Sequence, residues 1–179
     1  DRRQRQMCIR DRSRLVASEN LPVCWTTPKP LNFPVQMMCY KKESKRVKTK
    51  MGDSIIKLSI QSDTDEIDKR KTAQSICPNL IHSLDASCLM LAVIKAKDKG
   101  VTNFSLIHDS FGCVAPDVHK LSEAIREAFC EVYEQDVLTN WAMEMKQMLS
   151  DKNAKKFPHI PERGNLDLSL VKQSIFFCV

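Results

Sequence analysis

The sequence has no run of 18 apolar residues, so no transmembrane span is expected from it. The opening Asp-Arg-Arg-Gln-Arg-Gln is followed by no apolar core, so no signal peptide is expected either. No internal repeat is present. No Cys-x-x-Cys occurs: the cysteines stand at Cys8, Cys24, Cys39, Cys77, Cys88, Cys113, Cys130 and Cys178, and the nearest two are eleven residues apart. That spacing argues against a structural zinc site. Cys88, Cys113 and Cys130 fall inside apolar patterns and read as small core residues, which implies a reducing compartment. Asp63, Asp65, Glu66 and Asp68 have a superficial calcium-loop look, but the Gly and the terminal Glu of such a loop are missing.

What is present suits one ordinary domain of 179 residues, 42% hydrophobic and 28% charged. The formal charge of +6 is unevenly spread. Residues 41–50 hold Lys41, Lys42, Lys45, Arg46, Lys48 and Lys50 against Glu43 alone. Such a run suits nucleic-acid phosphates, or is simply a solvated loop.

The most informative stretch is Ser105-Leu106-Ile107-His108-Asp109-Ser110-Phe111-Gly112, followed by Cys113-Val114-Ala115. Two short runs about a Gly-containing turn predict a β-hairpin. Strands disfavour Asp, so Asp109 at such a tip asks for a task. Period 2 places Asp109 opposite His108 and Ser110, which excludes a hydrolytic triad among the three. A carboxylate on a rigid hairpin suits a hard cation such as Mg²⁺.

Residues 1–12 are Arg-rich without clean periodicity and read as an unassigned lead, either disordered or foreign to the fold. Residues 15–23 read as the tail of a helix. Val23 to Thr27 has strand composition before Pro28, Pro30 and Pro34. Phe33 to Tyr40 and Ser54 to Ile60 predict two strands joined through a basic turn with Gly52, a long exposed hairpin. Residues 61–74 read as a polar stretch. Pro78 predicts the first turn of a helix over 79–99 closed by Gly100. On it His82 and Asp85 share a face, and His82 taken alone reads first as a satisfied interior histidine. Asp117 can cap a helix with an apolar stripe of Val118, Leu121, Ile125, Ala128, Phe129, Val132 and Tyr133. A second amphipathic helix is predicted over 136–149, then a polar linker over 151–161. The apolar end, Ile175 to Val179, asks for a cover.

Taken together, Pro78-Asn79-Leu80-Ile81-His82-Ser83-Leu84-Asp85-Ala86-Ser87 and Ile107-His108-Asp109-Ser110-Phe111-Gly112 resemble the C-terminal part of the single-subunit, phage-type DNA-directed RNA polymerases. The resemblance runs from about Phe33 to the C-terminus. It includes Glu66-Ile67-Asp68 and Gly164-Asn165-Leu166.

The resemblance implies an α/β (α+β) fold: part of a right-hand polymerase palm with some of the fingers, and a catalytic hairpin packed by helices. The implied divisions are 1–14 unassigned, 15–77 fingers with a specificity-loop-like hairpin, and 78–179 palm with a C-terminal foot. Asp109 would be catalytic and one of two carboxylates holding two Mg²⁺ ions for transfer of a nucleotide from NTP to the RNA 3′-hydroxyl. His82, His108 and Ser110 would contact nucleotide or RNA; Lys45, Arg46 and Lys48 would contact promoter DNA. Phe176, Phe177 and Val179 would form the foot, though Phe-Phe-Cys-Val departs from the family's Phe-Ala-Phe-Ala.

The expected partners are template and promoter DNA, RNA product and NTP, with no membrane, acting as a monomer. Phe111-Gly112 resembles phage members more than mitochondrial ones, so a cytoplasmic location is expected, with mitochondria as the alternative. The family's other catalytic Asp and its fingers Lys and Tyr are not found in these residues, so this stretch alone is not expected to polymerise. The rival readings are a non-catalytic nucleic-acid-binding fragment and a bacterial type I DNA polymerase, which usually has Glu where Ser110 stands.

Overall fold

The structure, a computed structural model, describes residues 2–107 and 110–174. Its elements are helix α1 (Arg2–Ser18), strands β1 (Val23–Thr26), β2 (Pro34–Met37), β3 (Tyr40–Met51) and β4 (Ser54–Ile67), helix α2 (Lys69–Asp98), strands β5 (Phe104–Ile107) and β6 (Ser110–Cys113), and helices α3 (Val118–Glu134), α4 (Val137–Gln147), α5 (Asp151–Ala154) and α6 (Ser169–Gln173). The strands form three separate antiparallel pairs, β1–β2, β3–β4 and β5–β6. The class is α+β.

Helix α2 is the spine. It starts at Lys69 because Asp68 caps it, accepting hydrogen bonds from the backbone N–H groups of Arg70 (3.0 Å) and Lys71 (2.9 Å). Pro78 therefore sits inside the helix, nine residues past its first position, Lys69. Proline there forfeits one bond to the Gln74 carbonyl, and both Gln74 and Pro78 lie on the exposed face, where water replaces it. The C-terminal end follows the expectation from Gly100. Its φ is +87°, the Gly100 N–H donates to the Lys97 carbonyl (2.9 Å), and the Val101 N–H donates to the Ala96 carbonyl (3.0 Å). This is a Schellman motif, and the accompanying apolar contact joins the buried Val101 and Ala96.

By length and composition α2 could cross a membrane. Here its apolar residues instead face α1 and α3. Lys95 pairs with Glu131 (2.7 Å), and Lys99 with Glu127 (3.1 Å) and Glu123 (2.9 Å). The rising numbers on one helix meet falling numbers on the other, so α2 and α3 are antiparallel. Of the helix α3 stripe, Leu121, Ala128 and Val132 are buried, Ile125, Phe129 and Tyr133 are half-buried, and Val118 is exposed. Asp117 makes no capping bond and instead accepts from Lys120 Nζ (2.8 Å).

The Arg-rich start is part of the fold, contrary to its reading as a lead. In α1, Ile9, Arg12, Ser13, Val16 and Ala17 are buried, at helical spacing. Arg12 interrupts the apolar pattern and hides it from a sequence reading. Its guanidinium lies over the Phe157 ring (5.3 Å) and donates to the carbonyls of Pro158 (3.3 Å) and His159 (2.7 Å). The main core joins α1, β1, β2, α2 and α4 through Ile9, Val16, Trp25, Leu80, Trp141 and Met145. Residues 151–161 are likewise more than a linker, because Phe157 and Ile160 pack on this core.

Candidate nucleotidyl-transfer and nucleic-acid site

Hairpin β5–β6 pairs Phe104 with Cys113, Ser105 with Gly112, Leu106 with Phe111 and Ile107 with Ser110. The last pair of the ladder is Ile107 with Ser110, so Phe111 and Gly112 are strand residues of β6 and not the turn. A Cβ at Gly112 would stand 3.3 Å from both the Cβ and the carbonyl oxygen of Ser105, a tight approach in which the opposite strand would have to give by a few tenths of an ångström. Directly opposed residues share a face. Phe104, Phe111 and Cys113 share the face that packs on α2 and α3, with Phe111 reaching both Leu91–Ala92 and Leu121–Ala124. Ile107 and Ser110, which flank the turn, are exposed. The hairpin is thus packed through Phe104, Phe111 and Cys113 and exposed at the Ile107–Ser110 pair.

His108 and Asp109 lie outside the described residues, as do Phe176, Phe177 and Val179 of the expected foot. Among the described residues no group of three His, Cys, Asp or Glu side chains could hold a metal ion. The described residues alone do not make a two-metal centre.

The second stretch is on α2. Leu80 and Leu84 turn into the core, and Ser83 is tied down. Its hydroxyl accepts from Trp25 Nε1 (3.0 Å) and donates to the Leu80 carbonyl (2.7 Å). His82 is held on the opposite, exposed side together with Pro78, Asn79 and Asp85, so the interior-histidine alternative fails. His82 lies nine residues before Leu91, against whose cluster the hairpin packs. That is about 14 Å along the helix axis. Between them Cys88 and Tyr133 are each pushed up to about 12, chiefly by burial, so neither moves protons near neutral pH. A cleft of about 730 Å³ lies elsewhere, lined by Ile9, Leu80, Leu84 and Val137 among others, and His82 is not part of it.

The basic run is strand, not turn. Lys41 to Lys50 form β3, and the turn is Gly52-Asp53, with Met51 opposite Ser54 and Gly52 at φ +60°, the arrangement of a two-residue hairpin. Strand β4 also runs on to Ile67, through the stretch read as polar and unstructured. Eleven residue pairs join β3 to β4 in a ribbon on the order of 35 Å long that packs mainly on itself.

The register sorts the three expected DNA contacts onto two faces. Arg46 (opposite Ser59) and Lys48 (opposite Lys57) share a face with Lys42 and Lys50. Lys45 is opposite Ile60 on the other face, 3.9 Å from Glu43. Lys57 had no signal of its own in the sequence, because its charge gains meaning only through the pairing with Lys48.

Residues 3–156 match the family described as DNA-dependent RNA polymerase. The chain belongs to that family. It is 40% identical over 165 residues to Arabidopsis thaliana DNA-directed RNA polymerase 2, chloroplastic/mitochondrial, covering 92% of this chain and 15% of the relative. It is 36% identical over 167 residues to Arabidopsis thaliana DNA-directed RNA polymerase 1, mitochondrial, covering 93% and 16%. It is also 36% identical over 163 residues to Nicotiana tabacum DNA-directed RNA polymerase 1A, covering 91% and 99%. The chain spans about one sixth of the length of the first two relatives, so it corresponds to a fragment of proteins of that size. The phage-type resemblance is borne out. The cytoplasmic expectation is not: these relatives bear mitochondrial and chloroplastic names, and the two residues Phe111-Gly112 carry no address.

Proposed function

We propose that this chain is the C-terminal palm and part of the fingers (78–179 and 15–77) of a DNA-directed RNA polymerase, and that Asp109 is one of its two catalytic carboxylates. The observation that carries the reading is the pairing of two elements on one helix. Helix α2 exposes His82 while burying its neighbours Leu80 and Leu84, and the same helix anchors the β5–β6 hairpin, whose last pair, Ile107 and Ser110, brackets Asp109 in the sequence. His82, His108 and Ser110 would orient the RNA end and the incoming NTP. A 2′-hydroxyl read there distinguishes ribonucleotides.

A carboxylate is the hard oxygen donor that Mg²⁺ prefers, so Asp109 would hold the metal with a second Asp supplied from outside these residues. The ion, when bound, makes the 3′-hydroxyl easier to deprotonate and neutralises phosphate charge. Phe176, Phe177 and Val179 would close the site as the foot. The relatives' names support an organellar setting and RNA, rather than DNA, as product.

The basic ribbon face would contact promoter DNA. Lys48 stands directly opposite Lys57, a like-charge pair that costs stability in water and is relieved when a phosphate lies between them.

Asp109→Ala in the full-length polymerase tests the enzyme reading. Near-total loss of RNA synthesis with promoter binding retained is expected. Unchanged synthesis would refute the assignment, and loss of both together would favour a binding role for this region.

A further inference from the structure

The angle at which the β3–β4 ribbon leaves the body is decided at its base, where the ladder is irregular. Tyr40 pairs with Ile67 and Lys42 with Asp63, so a step of two residues on β3 spans four on β4. A bulge of this kind disrupts the pairing locally and bends the strand, so the ladder alone does not hold the ribbon at one angle.

Asn20 stands at this bulge. It follows α1 in the turn before β1, with φ +58°, a left-handed conformation that Asn tolerates just past a helix. Its side-chain amide donates to the Asp65 carbonyl (3.1 Å), and its side-chain carbonyl accepts from the Ile67 N–H (2.7 Å). A carboxamide offers the donor and the acceptor that a peptide group offers. Asn20 therefore takes the place of one residue of a neighbouring strand along the bulged edge of β4. The residue before it is tied the other way: Glu19 accepts from the Ser150 hydroxyl and the Asn153 amide, both at 2.6 Å, at the start of α5. Two consecutive residues thus join the ribbon base to the body. Among the described residues, no other side chain from a helix or the turn beside one hydrogen-bonds to β3 or β4.

We propose that Asn20 is a positioning residue for promoter recognition: by clasping the bulge it sets the angle at which the basic face of the ribbon meets the duplex. The inference rests on the promoter reading of that face. Losing the clasp leaves every charge of the ribbon in place, so contacts with phosphates in general survive. Contacts with base edges demand a fixed register and do not.

The test compares wild type, Asn20→Gly and the triple variant R46A/K48A/K57A in the full-length polymerase. Glycine keeps the positive φ and removes the carboxamide, so the turn is preserved. Affinity is measured at several salt concentrations for two duplexes, one selected by the wild-type enzyme from a randomised pool and the same duplex scrambled. Elongation is measured on a pre-annealed RNA–DNA scaffold, which needs no promoter. Asn20→Gly is expected to lower the ratio of selected to scrambled affinity at least about fivefold, for the two hydrogen bonds lost, with the salt slope and scaffold elongation unchanged. Amide exchange at Ile67 should quicken by at least about the same factor. A ratio unchanged in Asn20→Gly, while the triple variant shows a shallower salt slope, would overturn the role of Asn20 alone. A wild-type slope in the triple variant would overturn the promoter reading and this inference with it. Scaffold elongation that falls as far as the affinity ratio would mean that Asn20 serves general stability, and would likewise overturn it.

Discussion

Neutralising one face of the β3–β4 ribbon should change DNA binding in a way that neutralising the other does not. Arg46, Lys48 and Lys57 share the basic face, whereas Lys45 is on the apolar one beside Ile60. Each phosphate neutralised on duplex DNA contributes a slope of about −0.9 to log affinity against log salt. Replacing Arg46, Lys48 and Lys57 with Ala removes up to three contacts and makes the slope shallower by about 2.7. Between 50 and 200 mM salt, a fourfold change, the wild type should lose about 40 times more affinity than the triple variant. Lys45→Ala removes the same unit charge from the same strand and should leave the slope nearly unchanged. Fluorescence anisotropy of a labelled duplex, titrated at four salt concentrations with the four proteins, makes the measurement. Contacts made elsewhere cancel in the comparison. A Lys45→Ala slope as shallow as that of Arg46→Ala would refute the division into faces, whatever the absolute affinities.

Two further outcomes concern stability. Leu80→Ala empties a position 1% exposed in the main core, directly beneath the His82 face, and should cost about 2–5 kcal/mol in urea unfolding, whereas a loss under 1 kcal/mol would mean that α2 is not packed as described. Glu19 accepts from the Ser150 hydroxyl and the Asn153 amide, both at 2.6 Å, and from the Ser150 N–H, which holds its carboxyl below the ordinary 4.5. The native state therefore binds this proton less readily than the unfolded chain. The stability it contributes is full above pH 4.5 and is lost as pH falls through the lowered value. The difference in urea midpoint between wild type and Glu19→Gln should shrink over that acidic range and stay constant above it. A difference that grows on acidification would contradict the assignment.

Much of this protein was legible from its sequence because the signals were local. Gly100 ends α2 through a left-handed residue that the next two backbone bonds require. The stripe from Leu121 to Tyr133 is α3, and the β-strand composition about 108–109 is the β5–β6 hairpin. The order and spacing of the two motifs led to the family. What tertiary structure decided is which side of each element faces what. Only the tail of helix α1 was legible, because a buried Arg12, whose Nη2 donates to carbonyls some 146 residues away, breaks its apolar period. Helix α2 begins at Asp68 and not at Pro78 because an N-cap outweighs one lost bond on a solvated face. His82 is exposed because the core takes up Leu80 and Leu84. Lys45 is separated from Arg46 and Lys48 because strand side chains alternate. Charge runs are written in sequence, but a strand deals consecutive residues to opposite faces, and only pairing with β4 shows which of those faces is basic and which is apolar.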